Sequence, residues 1–328
     1  MNAAVEQVHT RPARRGTLAR VLDFNDPRKF AALLILPAQL LLLFIVIFPA
    51  LSSIYLSLTA WTPTRGGNWW EAYQHWNWLA NYANVVRDTA FLQSIGRTAV
   101  VAGAAVALEF LLGLGLALLF YETFPGRQVF YTIMLLPMMV VPAVTGFIFK
   151  MIFQSNGPLN AFLSAVIPGV TVSVPWLQDP TWANVAVILA DVWQWTPLMF
   201  LILSSGLVAL PEDQMKAAVM LGASWWQRFR YLMLPMLKPI IVIALIIRGM
   251  EAVKIFDAIY LMTQGGPGSA SESISVYMYK VGFRSLQWSY IAAAAILVLI
   301  LVSVAAVYAL KPLQAPGGAT PTRHEKEQ

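Results

Sequence analysis

Six apolar runs, each long enough to cross a bilayer, recur along this sequence and constrain its fold more than any other feature. A spanning helix needs about 20 mostly apolar residues, because about 30 Å of hydrocarbon is crossed at about 1.5 Å per residue. The runs fall at about 31–56, 98–120, 129–153, 183–209, 239–261 and 290–310. A chain of 328 residues with 58% hydrophobic and only 12% charged residues cannot dissolve that many stretches in a water-facing domain. The expectation is an all-α polytopic membrane protein of about six transmembrane helices. Pro37, Pro49, Pro137, Pro142 and Pro197 lie inside runs, where they mark kinks whose freed carbonyls a neighbouring helix must satisfy.

Cationic loops stay on the cytoplasmic side. An N-terminal arm, residues 1–30, carries Arg11, Arg14, Arg15, Arg20, Arg28 and Lys29, and the fourth loop carries Lys216, Arg228, Arg230 and Lys238. The loop between 154 and 182 has no Lys or Arg. Both termini are therefore expected in the cytoplasm, with a membrane domain at 31–310, a first external loop at about 61–95 and a cytoplasmic tail at 311–328. The arm's charge reads as a membrane-proximal positive-inside run, not as a nucleic-acid site. The run behind it is too long for a signal-peptide core and has no small-residue cleavage pattern, so it is expected to remain as an anchor.

Several chemistries are excluded. There is no cysteine, hence no disulfide, thiolate nucleophile or cysteine-bound metal. The three histidines, His9, His75 and His324, are scattered and build neither a metal site nor a triad. No G-x-x-x-x-G-K-[ST] loop occurs, so no cofactor is expected in this chain and any ATP and Mg must sit on another subunit. No internal repeat marks two related halves of a secondary transporter.

Between the fourth and fifth runs lies a polar, helix-forming island at about 211–235. Pro211 suits a helix start, and Glu212 and Asp213 favour its positive end. Met215 to Leu221 continue for about two turns, Gly222 offers a left-handed stop, and Ser224 caps a second helix beginning at Trp225. Ala217, Ala218 and Ala223 leave little side chain between this elbow and a partner, with Phe229 beneath. From the residues alone, a docking handle and a plain amphipathic connector stand equal.

In the fifth run Arg248, Glu251, Lys254 and Asp257 recur every three residues, forming a drifting stripe on one side of a helix. A charge at bilayer centre costs about 2.5–3.5 kcal/mol on insertion scales, so the stripe must face protein or water. Two readings follow: an intrahelical ion-pair ladder against a partner, or a lining of a solute passage. Glu109 and Asp191 are intramembrane carboxylates with the same two readings, and Trp193 and Trp195 are candidates to stack on a sugar ring or simply to pack. Gly265, Gly266 and Pro267 form a turn beyond the fifth run that touches a partner or only reverses the chain. Trp61, Trp69, Trp70, Trp76 and Trp78 suit an interfacial aromatic belt.

With Ala217-Ala218, Gly222-Ala223, Phe229, Leu234-Pro235 and Pro239 in that order, the island resembles the cytoplasmic signature of inner-membrane permeases in binding-protein-dependent ABC importers. Leu135-Leu136-Pro137 with Pro142 is similar to the family's third-helix pattern, and Asp191-Val192-Trp193-Gln194-Trp195-Thr196-Pro197 to its fourth. Phe256-Asp257 followed by Thr263-Gln264-Gly265-Gly266-Pro267 is similar to the carbohydrate branch, the maltose and glycerol-phosphate type. The resemblance covers about residue 95 to the last run. Lys216 stands where the family's signature usually has glutamate, and Leu221 where it often has an acid; Glu212, one turn before Lys216, presents a carboxylate on the same face.

The resemblance implies a permease of the bacterial inner membrane, paired with a second, homologous permease as a heterodimer. It implies two ATPase subunits docked on Glu212, Lys216, Ala217, Ala218, Gly222, Ala223, Phe229, Pro235 and Pro239, and a periplasmic solute-binding protein above. The implied solute is a sugar, oligosaccharide, polyol or sugar-like anion. The rival reading is an ion-coupled secondary transporter that uses Glu109, Asp191, Glu251 and Asp257.

Overall fold

The computed structural model describes residues 27–122, 124–167 and 171–314. Arg11 to Arg20, His9 and His324 lie outside the described residues, as does most of the expected tail. Among the described residues the fold is helical, with one isolated β-bridge between Thr59 and Trp76. Among the described residues five helices are long and apolar enough to cross a membrane, and the spans number six if a bent pair is counted as one.

The chain divides into two units, residues 1–55 and 56–328. In the first, α1 (Pro27–Leu42) passes through a π-turn at Leu43–Ile47 into α2 (Phe48–Ser57). Ser52 and Ser53 donate to the carbonyls of Phe48 and Pro49 at 2.9 and 2.8 Å, so their hydroxyls are satisfied within an apolar span.

The second unit is built around α4 (Thr89–Leu119) and α8 (Pro180–Val208). Both start on an aspartate cap: Asp88 accepts from the amides of Ala90 and Phe91, and Asp179 from those of Thr181 and Trp182. Small residues let the two backbones approach, as packing within a membrane requires. A Cβ at Gly113 of α4 would come within 2.8 Å of Met199 on α8. The core beside this contact joins Phe120, Phe200, Leu203 and Leu207 to Leu237.

The expected single span at 129–153 is corrected to two helices, α5 (Arg127–Met139) and α6 (Pro142–Ile152), bent by 94°. Pro142 opens α6, and its ring excludes the α conformation for Val141, which is extended at φ −60°, ψ 134°. Val140 is extended too, and its freed carbonyl accepts from the Gln194 side chain of α8 at 2.8 Å. A short α7 (Pro158–Val166) follows, and the side chain of buried Asn160 at its start bonds the loop at Ser155, Val174 and Trp176.

The elbow comprises α9 (Glu212–Met220) and α10 (Trp225–Arg228), joined through a π-turn at Phe229–Met233 to α11 (Leu234–Val253). The fifth span runs as one apolar stretch over Trp225–Met262, but the helix within it is interrupted. The helix stops at Val253, Lys254 to Phe256 break it, and α12 (Asp257–Met262) begins afresh. After a compact turn, α13 (Ile274–Tyr279) and a π-turn at Lys280–Arg284 lead to the last span, α14 (Trp288–Gln314).

A polar clasp ties the chain together around α3 (Ala80–Arg87) and the start of α4. Asp88 accepts from the hydroxyls of Tyr277 and Tyr290 at 2.5 and 2.6 Å. Buried Asn81 donates to the carbonyls of Ser57 and Thr59, and Ser289 to that of Trp61. Burial alone raises the Asp88 carboxyl, but the hydrogen bonds from Tyr277, Tyr290, Ala90 and Phe91 outweigh it and hold it below its ordinary value.

Candidate functional site

The charged stripe does not survive as one face. Residues three apart are offset by about 60° from a full turn, so over three steps the row swings roughly halfway round the helix. Arg248 points into the bundle and is 2% exposed, whereas Glu251, Lys254 and Asp257 are exposed. Glu251 and Lys254 pair with each other at 2.8 Å. Asp257 stands beyond the break at the first position of α12.

Arg248 finds its partners on other helices. Its Nε and Nη2 donate to the two oxygens of Glu109 on α4 at 2.7 and 2.9 Å, a bidentate pair, and Nη2 also donates to Asp191 on α8. Its guanidinium lies 5.3 Å from the ring centre of Trp195. One guanidinium and two carboxylates thus join α4, α8 and α11 where all three side chains are almost fully buried. Breaking such a buried cluster by deleting one partner is costly, because it strands the remaining charges.

Above this trio opens a cavity of about 140 Å³. Asp191, Gln194 and Trp195 line it from α8, Arg248 and Glu251 from α11, Lys254, Ile255 and Phe256 from the break, Asp257 and Ala258 from the start of α12, and Pro142 from α6. The bend between α5 and α6 and the break after α11 are what bring these groups to one place. The cavity presents donors, acceptors and an aromatic wall in one place, at a volume below that of a pocket enclosing a whole ligand. A larger space of about 500 Å³, between α4, α11 and α14, is lined by apolar side chains and Thr98, which gives it no comparable chemistry.

Of the residues singled out in the sequence, Asp191, Trp195, Arg248, Glu251, Lys254 and Asp257 are gathered at the cavity. Glu109 stands behind Arg248 without lining it. Trp193 packs on Phe149 of α6 at 5.4 Å and is absent from the lining. Gln194, Pro142 and Phe256 were not singled out as ligands, although each stands in a motif that carries the family resemblance.

The elbow has the expected geometry, with one shift: Pro211 caps α9 and Glu212 is its first residue. Gly222 has φ +79°, and its amide donates to Val219 while that of Ala223 donates to Ala218. These two bonds close the helix end in a Schellman motif, whose left-handed position favours glycine. Ser224 and Gln227 then cap α10 reciprocally. Met215 anchors the elbow by sinking into the core beside Leu210 and Met233. The opposite side is open: Met220 and Leu221 are 88% and 87% exposed, and Ala217 is exposed beside them. This apolar tip is the feature the sequence reading missed; two large hydrophobes just before Gly222 were its signal.

Glu212 and Lys216 pair at 2.8 Å on the elbow's surface, and the Lys216 ammonium holds the Glu212 carboxyl below its usual range. Phe229 stacks on Trp225 with ring centres 5.5 Å apart and opens the π-turn. Pro235 in the first turn of α11 has no N–H to return to the preceding turn, and Pro239 repeats the gap four residues on; both are exposed. Gly265 is buried beside Glu272 and Lys280, while Gly266 and Pro267 are half-buried. Ser271 bonds Thr263 and the Gly266 carbonyl, so the turn is held internally.

A model of the family described as binding-protein-dependent transport system inner membrane component matches residues 109–312, most of the second unit. The trehalose/maltose transport system permease protein MalF of Thermococcus litoralis is 36% identical over 255 residues, covering 76% of this chain and 82% of that protein. The trehalose transport system permease protein SugA of Mycobacterium tuberculosis is 31% identical over 296 residues, covering 89% of this chain and 91% of the other. A crystal structure of a bacterial ABC transporter involved in the import of the acidic polysaccharide alginate matches with a TM-score of 0.72 at 21% identity. It covers 85% of this chain and 93% of the matched one, a likeness of fold.

Proposed function

The chain belongs to the inner-membrane components of binding-protein-dependent transport systems, and from that premise we propose that it is one permease of an ATP-driven importer for a carbohydrate. The observation that carries the solute reading is the small polar cavity inside an otherwise apolar bundle, with Trp195 beside alternating acids and bases. Hydroxyls need paired donors and acceptors, and a sugar ring's C–H face needs an aromatic wall. The names of the relatives, transporters of trehalose and maltose, support the same class.

Coupling rests on the elbow. The positive-inside bias puts it in the cytoplasm together with both termini. There its apolar tip suits a groove on an ATPase subunit, which binds ATP and Mg. Met215 ties the elbow to the core that α11 enters, so a push on the tip reaches the helix that carries Arg248 and Glu251. A second permease completes the passage, and the binding protein delivers solute from the opposite face.

The ion-coupled alternative needs free intramembrane carboxylates. Of the four it would use, Glu109 and Asp191 are engaged by Arg248 and Glu251 by Lys254, which weighs against it and leaves it Asp257. Affinity purification of the tagged chain in mild detergent, with mass spectrometry of what stays bound, tests the assembly. A second six-span permease and a P-loop ATPase are expected; a chain that purifies alone contradicts the proposal.

A further inference from the structure

Small residues in lipid usually draw helices together, yet along α11 and α14 they leave a furrow of about 500 Å³. Gly249 of α11 and Ala305, Ala306 and Ala309 of α14 line it, and a Cβ added at Gly249 would have nothing within 4 Å. Its far end is closed, where Val253 and Val298 pack with Ile95 against buried Ile274. The lining holds one polar side chain, Thr98, whose hydroxyl donates to the Ser94 carbonyl at 2.7 Å and accepts from the Ile274 amide at 2.8 Å. With that hydroxyl satisfied, the furrow offers water or a polar solute no partner. Met250 and Leu301 line it and are 41% and 51% exposed, so it opens sideways from the bundle.

Length and charge select the occupant. From Val242 to Val253 on α11, and from Ala309 back to Val298 on α14, the furrow extends about 17 Å at about 1.5 Å per residue. That is close to one leaflet of a hydrocarbon core about 30 Å thick, whereas a docked spanning helix would need the full depth. The open end lies on the elbow's side, and lysines stand there. Lys238 precedes Val242 by about one turn, and Lys311 follows Ala309. Both are exposed, and neither is in an ion pair among the described residues. The Lys311 ammonium lies 4.0 Å from the centre of the Tyr308 ring, which steadies it.

We infer that this furrow holds an acyl chain of one anionic phospholipid from the leaflet on the elbow's side, with the phosphate held between Lys238 and Lys311. Two lysines against one phosphodiester leave a positive charge over, which favours an anionic headgroup. Because α11 leads from the elbow to Arg248, the lipid lies along the helix that joins the two. The inference is independent of which solute the chain carries.

The test reconstitutes the full chain, with the subunits that accompany it, in vesicles of equal phosphatidylglycerol and phosphatidylcholine, then extracts it in mild detergent for native mass spectrometry. A retained phosphatidylglycerol is expected. Lys238→Gln and Lys311→Gln, both on the surface, should each lower the preference for phosphatidylglycerol about fivefold. Gly249→Leu with Ala306→Leu fills the furrow and should lose the lipid. Because the chain has no cysteine, a benzophenone can also be attached in a Leu301→Cys variant, with exposed Val304→Cys outside the furrow as control. Light should join the first to phosphatidylglycerol in preference and the second to both lipids alike. Equal retention of the two headgroups by the unaltered chain, a filled variant that keeps its lipid, or a Leu301→Cys adduct with polypeptide in place of lipid overturns the inference.

Discussion

Replacing Arg248 with methionine tests whether the buried trio is the tie between α4, α8 and α11. The guanidinium makes a bidentate pair with Glu109 at 2.7 and 2.9 Å, a further bond to Asp191, and a ring contact with Trp195 at 5.3 Å. Its removal leaves two carboxylates almost fully buried without their cation. Breaking a buried ionic cluster in this way costs about 3–5 kcal/mol, whereas exchanging the whole cluster for neutral groups of similar volume is close to neutral. At roughly 2 °C per kcal/mol for a chain of this size, Arg248→Met should lower the melting temperature in detergent by ~6–10 °C. The triple variant Arg248→Met, Glu109→Gln, Asp191→Asn should regain most of that loss. Arg248→Lys should fall between, keeping the charge but not the fork. The assay is thermal unfolding followed by intrinsic fluorescence. An unchanged melting temperature for the single variant, or a triple variant no better than the single one, would refute the reasoning.

At the elbow, Gly222→Ala meets nothing within 4 Å but must hold a left-handed backbone, at a cost of about 1–2 kcal/mol; it should weaken ATPase co-purification, with Gly222→Asn milder. Gly222→Asp should uncouple or disassemble the complex while the chain stays in the membrane, and normal transport by that variant would count against docking there. Trp195→Leu should reduce saccharide uptake while Trp193→Leu leaves it near wild type, because only the former lines the cavity; equal effects in an uptake assay would contradict the assignment. Asp88 has a depressed value in the folded chain, so its contribution to stability is present above its unfolded value, about 3.9, and is lost as pH falls through the folded one. Melting measured from pH 7 down to acid should therefore lose a component below about pH 4 that Asp88→Asn lacks throughout.

The apolar runs located every span, because about 20 consecutive apolar positions leave a helix no alternative in lipid, but the second and fifth begin earlier than their runs, at Thr89 and Trp225. The elbow was legible for a local reason: Gly222, Ser224 and Gln227 act through bonds within a few residues of themselves. The bend at Val140–Val141 was only half visible. Pro142 announced a kink, but the partner that stabilises a 94° turn is Gln194, more than fifty positions away. Arg248 shows the same limit. Its sequence neighbours Glu251 and Lys254 suggested a ladder, and those two do pair with each other, but the carboxylates that hold Arg248 come from α4 and α8. Periodicity reports which face a residue occupies and says nothing of which helix packs against that face.

The most direct test of the whole account is solute uptake into proteoliposomes that hold the purified chain with its partner permease and ATPase subunits, supplied with binding protein and labelled gluco-oligosaccharides. The account predicts accumulation that requires ATP and the binding protein and stops when either is withheld. Accumulation by this chain alone, driven by a proton or sodium gradient and indifferent to ATP, would contradict it.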